Sequence, residues 1–220
     1  MDKYDCNLEF RHLFERNFTK EFSNTIYKSV KTGFTVYHKF KLENKGFFDG
    51  YNKGTALQSH LLKFAIENEV SKSAFTPTSS HRAVVGKLND YGYNGLFLRT
   101  DDFIITLCKT YKPMRLPSYA QHRKQLAAVN NSLATQLRLD MGGFVVDDSF
   151  KYSIITYGSN SSFELSHLNI ITPELDYSGI ISDFSTDIMR DDNLVAMPDI
   201  VTEEQVVALK KEFQISLKQG

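Results

Sequence analysis

Apolar residues recur along this chain in two rhythms, and the changes from one to the other mark out its elements. Phe10, Phe14, Phe18, Phe22, Ile26 and Val30 fall at every fourth position, with Leu13 and Tyr27 widening the stripe. That spacing predicts one amphipathic helix, stopped by Gly33. The next stretch, "FTVYHKFKL", alternates Phe34, Val36, His38, Phe40 and Leu42 with Thr35, Tyr37, Lys39 and Lys41. Period two predicts a half-buried strand with His38 facing inward, and "ENKGFFDGYNKG" after it reads as a loop. A second helix is expected from about Thr55 to Val70, with Leu57, Leu61, Phe64 and Ala65 inward. A short helix through "HRAVVGKLND", capped by Ser79 or Ser80, would follow.

The second half of the chain has more strand character. "GLFLR" and "FIITLCK" suit a pleated sheet, and Thr100, Asp101 and Asp102 between them predict a hairpin turn. Two prolines in "YKPMRLP" precede a third helix, expected from about Ser118 to Arg138, with Tyr119, Leu126, Val129, Leu133 and Leu137 buried and Gly142 past its end. "FVVDDSFKYSIITYGSNSSFELSHLNIIT" predicts further strands separated by Asp-Asp-Ser and Gly-Ser-Asn turns. Ile180, Ile181, Phe184 and Ile188 would form the face of a weaker helix. Thr202 with Gln205 makes a capping box, Glu203 and Glu204 complement the helix N-terminus, and Val206, Leu209, Phe213 and Leu217 form the apolar stripe of a C-terminal helix over 202–218. The whole reads as a single α+β domain spanning 1–220. Its expected core is an antiparallel sheet of five or six strands flanked by three or four long helices.

Composition changes this picture little. A chain of 220 residues with 41% hydrophobic residues can bury a substantial core. Two cysteines, Cys6 and Cys108, are too few for a disulfide framework and point to a reducing cytoplasm. The charged N-terminus lacks the apolar core of a signal peptide, and no apolar run approaches the roughly 20 residues of a membrane span, so no membrane association is expected.

Charge changes it more. Formal neutrality conceals a split between a basic part, 1–139, with 21 Lys or Arg against 12 acids, and an acidic part, 140–204, with 2 against 13. Positions 103–139 contain no acid, while Lys109, Lys112, Arg115, Arg123 and Lys124 all fall within them. These five, with Lys39 and Lys41 on the outward face of the expected strand, are candidate nucleic-acid contacts, since clustered cations attract phosphate. Phe47, Phe48 and Tyr51 beside them are candidates for stacking on bases. Asp183, Asp187 and Asp191, at four-residue spacing on the expected helix, would form an acidic row for a basic partner or a second copy.

Catalytic motifs are sparse. The six histidines have no zinc spacing, and the predicted alternation sends His167 and Glu164 to opposite faces of a strand. Cys108 falls in an apolar strand, where an inert thiol is expected. Asp101 and Asp102 read as turn formers. Glu43 and Lys45 supply one (D/E)-x-K match, so a metal-dependent nuclease or phosphodiesterase using Mg2+ or Mn2+ is the alternative reading, with no other cofactor expected. A self-assembling structural protein is a third. The leading expectation is a non-enzymatic interaction protein of regulatory or defence-associated type. Its basic surface would meet nucleic acid or an acidic partner, and its acidic third a basic one.

Overall fold

In the computed structural model, residues 3–50, 54–74, 81–88, 94–130, 138–141, 144–147, 149–160, 164–190 and 201–219 are described. Four long helices lie on one side of a six-stranded sheet, the last of them packed on two of the other helices. The helices are α1 (Lys3–Asn17), α2 (Lys20–Glu43), α4 (Gly54–Ala74) and α6 (Glu203–Gln219), with the short α3 (Lys45–Gly50) after α2. The sheet comprises β1 (Arg82–Lys87), β2 (Asn94–Arg99), β3 (Phe103–Lys109), β6 (Lys151–Ser159), β7 (Leu165–Ile171) and β8 (Thr186–Asp187), neighbours in that order. A helix α5 (Gln121–Ala127), the 3-10 turn Ala128–Asn130 and a ribbon of β4 (Arg138–Asp140) with β5 (Val145–Asp147) cover the other face.

The α+β class stands, but the sheet is mixed rather than antiparallel, because β3 and β6 run parallel. A parallel pair needs a crossover. Here the crossover is the stretch between them, which carries α5 and the β4–β5 ribbon over the second face. The central strands β3 and β6 are accordingly buried on both sides.

The expected first helix is two helices. Thr19 caps α2 by accepting from the Phe22 N–H at 3.2 Å, and the chain breaks there. The expected strand over 34–42 is the continuation of α2. Phe34, Val36, Tyr37 and Phe40 are buried, while His38 is exposed, so helical period overrides an alternation that arose by coincidence. Gly33 does not end the helix. It is the close-approach point with α4, where an added Cβ would lie 2.6 Å from the Ile66 Cα. The expected loop after it contains α3, whose Phe47 and Phe48 pack with Phe213 at 5.0 and 5.9 Å between ring centroids.

Other elements differ as well. "HRAVVGKLND" holds β1, an edge strand paired along its whole length with β2, and the β-branched Val84 and Val85 fit that state better than a helix. The expected third long helix shrinks to α5. Tyr119 precedes it and is 68% exposed rather than buried, and Arg138 belongs to β4. Leu133, Leu137 and Gly142 lie outside the described residues, as do Ser79, Ser80 and Tyr51. Residues 182–190 form two 3-10 turns around β8, not a helix. The β2–β3 hairpin, the strands around Tyr157 and Thr172 and the C-terminal helix are where the pattern put them.

The capping box at α6 is tied into the core. The Thr202 N–H donates to Gln205 Oε1 at 2.8 Å, and Gln205 Nε2 donates to Glu69 Oε2 at 2.7 Å. Lys72 Nζ meets the other oxygen of Glu69 at 2.9 Å, and Glu69 is buried. Glu69→Ala leaves the Gln205 amide without its acceptor, and a loss of about 2 kcal/mol is expected. Urea unfolding that shows no change would mean that α6 docks by its apolar stripe alone.

Candidate nucleic-acid interface

Beyond Lys109 the chain leaves β3 and runs as irregular backbone to α5, held at five points. The Thr110 N–H donates to the Tyr157 carbonyl at 2.8 Å, extending the pairing of β3 with β6. Thr110 Oγ1 lies 2.9 Å from His167 Nε2. The Met114 N–H donates to Asn169 Oδ1 at 3.1 Å, at a residue whose φ of 49° marks a sharp turn. The Tyr177 hydroxyl donates to the Pro117 carbonyl at 3.3 Å, and an Arg123 terminal nitrogen to the Ser118 carbonyl at 2.5 Å. His167 reaches Thr110 because Gly158 on the neighbouring strand has no side chain, and a Cβ there would sit 2.0 Å from the imidazole. Burial lowers the His167 pKa, which favours the neutral ring.

Four of these five bonds use a backbone group of the segment, and several of its side chains stay outside. Tyr111 is 98% exposed, and Lys112, Arg115 and Tyr119 are exposed with it. Lys109, Lys112 and Arg115 make no ion pair among the described residues. Lys124 lies near Asp176, whose carboxyl is held low by hydrogen bonds from Ser178 and, less, by the Lys124 charge. Arg123 is partly buried, over the Cys108 sulfur at 3.6 Å. Burial pushes the Cys108 thiol up, against the pull of Arg123, so it is a poor nucleophile.

The other candidates fall elsewhere. Lys39 and Lys41 are on the C-terminal half of α2, on a helix rather than a strand, and Phe47 and Phe48 beside them fill the core. Glu43 ends α2 and bonds Lys210 at 2.8 Å, which lowers its pKa, and Lys45 begins α3. Asp102 anchors the end of α1. It accepts from Arg16 at 2.5 and 2.7 Å and from Asn17 Nδ2 at 2.5 Å, and Thr100 Oγ1 accepts the Asp102 and Phe103 N–H groups beneath it. Asp101 stays exposed beside it. No three His, Cys, Asp or Glu side chains converge among the described residues. Asp183 and Asp187 share no helical face, and Asp187 Oδ1 accepts from the Met189 N–H at 3.1 Å; Asp191 lies outside the described residues. No helix among the described residues is long and apolar enough to cross a membrane.

Sequence reading missed the two tyrosines. The signal was present in "KTYKPMRLPSYAQHRK", where prolines interrupt any regular face that could bury an aromatic. It also missed what lies behind Lys109 and Arg123. There β2 and β3 part, and α4 contributes His60, Lys63 and Glu67 to a cleft of 330 Å³ that includes His122. No known protein family, curated protein or solved structure matches this chain.

Proposed function

We propose that this protein binds single-stranded nucleic acid through segment 109–124, as a non-enzymatic interaction protein of regulatory type. One observation carries the reading: an acid-free segment, pinned through its backbone, presents Tyr111 and Tyr119 to solvent beside unpaired Lys112 and Arg115. Every base has a face on which tyrosine stacks, at about 1–3 kcal/mol per base, and neutralised phosphates release counterions. A basic patch alone would suit an acidic protein equally well. Exposed aromatic rings among the cations favour unpaired bases. A segment already held in place also loses less entropy on binding than a free loop would.

Fluorescence anisotropy with a labelled single strand, across a salt series, tests this. Affinity should fall steeply with salt, and duplex of the same sequence should bind more weakly. Tyr111→Ala with Tyr119→Ala should weaken strand binding at least about tenfold while leaving the salt slope intact. Lys112→Gln with Arg115→Gln should flatten that slope by about 1.4, at roughly 0.7 per phosphate contact on a single strand. Binding that is absent at low ionic strength, or equally strong to an acidic polypeptide and insensitive to the tyrosines, overturns the reading.

A further inference from the structure

The β2–β3 ladder holds only three pairs, Phe97 with Thr106, Leu98 with Ile105 and Arg99 with Ile104. β2 keeps its pairing with β1 along all six residues, so beyond Phe97 it follows β1 and leaves β3. The next pair in register, Leu96 with Leu107, is not made. The Leu96 backbone instead faces Glu67 of α4 across the cleft. The sheet is forked here, and both Leu96 and Leu107 line the cleft in the fork.

Its polar lining is unbalanced. Lys63, Lys109 and Arg123 face a single acid, Glu67, which Lys63 already approaches at 3.6 Å. Lys109 and Arg123 have no acidic partner among the described residues, and the Arg123 Nε is buried with no hydrogen-bond partner there. Two positive charges are therefore left over, converging from the end of β3 and the start of α5. His122 stands with them. Its pKa is pushed down to about 4, first by burial and then by the charges of Arg123 and Lys63, so at neutral pH the ring is neutral and can offer one N–H. The volume of 330 Å³ is near the lower end for small-molecule sites, about 300–1,000 Å³.

We propose that this cleft binds a phosphomonoester dianion, with Lys109 and Arg123 as its main cationic contacts and His122 as a neutral donor. Two negative charges match the two unpaired positive ones, and a tetrahedral group accepts from donors converging on different sides. The phosphate comes either from a free nucleotide or from the 5′ end of a strand lying along segment 109–124. The free-nucleotide source does not rest on the strand-binding reading, whereas the strand-end source does.

The test follows the His122 imidazole by NMR in the intact protein, titrated from pH 3 to 8 without ligand and with inorganic phosphate, a nucleoside 5′-monophosphate, or a 5′-phosphorylated strand. A 5′-hydroxyl strand serves as the reference. A phosphate at contact range, which keeps at least one negative charge across this range, should raise the His122 pKa by about one unit or more, since an opposite charge favours the protonated ring. Lys109→Gln should weaken phosphate binding about tenfold with the thermal melt unchanged. A shift with monophosphate but no gain from the 5′-phosphate on the strand identifies a free nucleotide. A shift produced only by the phosphorylated strand identifies the strand end. His122 unmoved by all three phosphate probes relative to their references overturns the proposal, and does so even where the 5′-hydroxyl strand binds segment 109–124 normally.

Discussion

Phe103→Ala is expected to cost about 3–5 kcal/mol, the range for deleting a buried phenyl ring. Phe103 is fully buried at the first position of β3, and its ring lies 5.9, 6.3 and 4.8 Å from the rings of Phe10, Phe14 and Phe18. Phe10 in turn packs on Phe184 at 4.4 Å. This aromatic cluster is the main apolar attachment of α1, whose polar attachment is the Asp102 clamp on Arg16 and Asn17. Against a total stability of about 5–15 kcal/mol the loss would be severe. It should also be uneven. Hydrogen exchange should speed up at α1 amides first, while the α2–α4 pair keeps its protection. A loss below about 1 kcal/mol in urea, or uniform exchange, would show that α1 is held by something other than this cluster.

At Gly33 the larger change is an addition. Gly33→Val is expected to destabilise by about 3 kcal/mol, at the upper end of ordinary overpacking. The new Cβ would lie 2.6 Å from the Ile66 Cα and 2.9 Å from its amide nitrogen, so the obstacle is helix backbone, which no rotamer change can move. The α2 and α4 axes would have to separate, loosening Tyr37, Phe40, Leu61 and Leu62 behind them. Gly46 in α3 offers the opposite case. Nothing lies within 4 Å of a Cβ there, so Gly46→Ala should stabilise, by up to about 1 kcal/mol of helix propensity. Thermal melts of the two variants should move in opposite directions. A harmless valine at position 33 would mean that the two helices do not approach so closely.

The errors in the sequence reading share one cause. The stretch 34–42 satisfies both periods, and its outward set on the strand reading included Tyr37, which is fully buried. Only the presence of α4 against Gly33 separates the two. Position 82–87 looked helical because Ser79 and Ser80 offered a cap, yet its partner is β2, which supplies hydrogen bonds no local pattern reveals. The parallel β3–β6 pair was hidden for the same reason, since either direction of pairing buries the same apolar runs.

Of the candidate site, the basic run from Lys109 to Lys124 was legible because charge is a property of composition. The cleft was not, because Lys63 and Glu67 stand some forty positions before Lys109 and meet it only through the fork in the sheet. What the chain determined unaided is local: capping at Thr202, the turn at Thr100, the apolar runs of the central strands and the absence of acids from 103–139. What tertiary structure decided is which backbone groups find partners and which side chains are left facing water. Those outcomes depend on neighbours distant in sequence, and short-range periodicity carries no information about them.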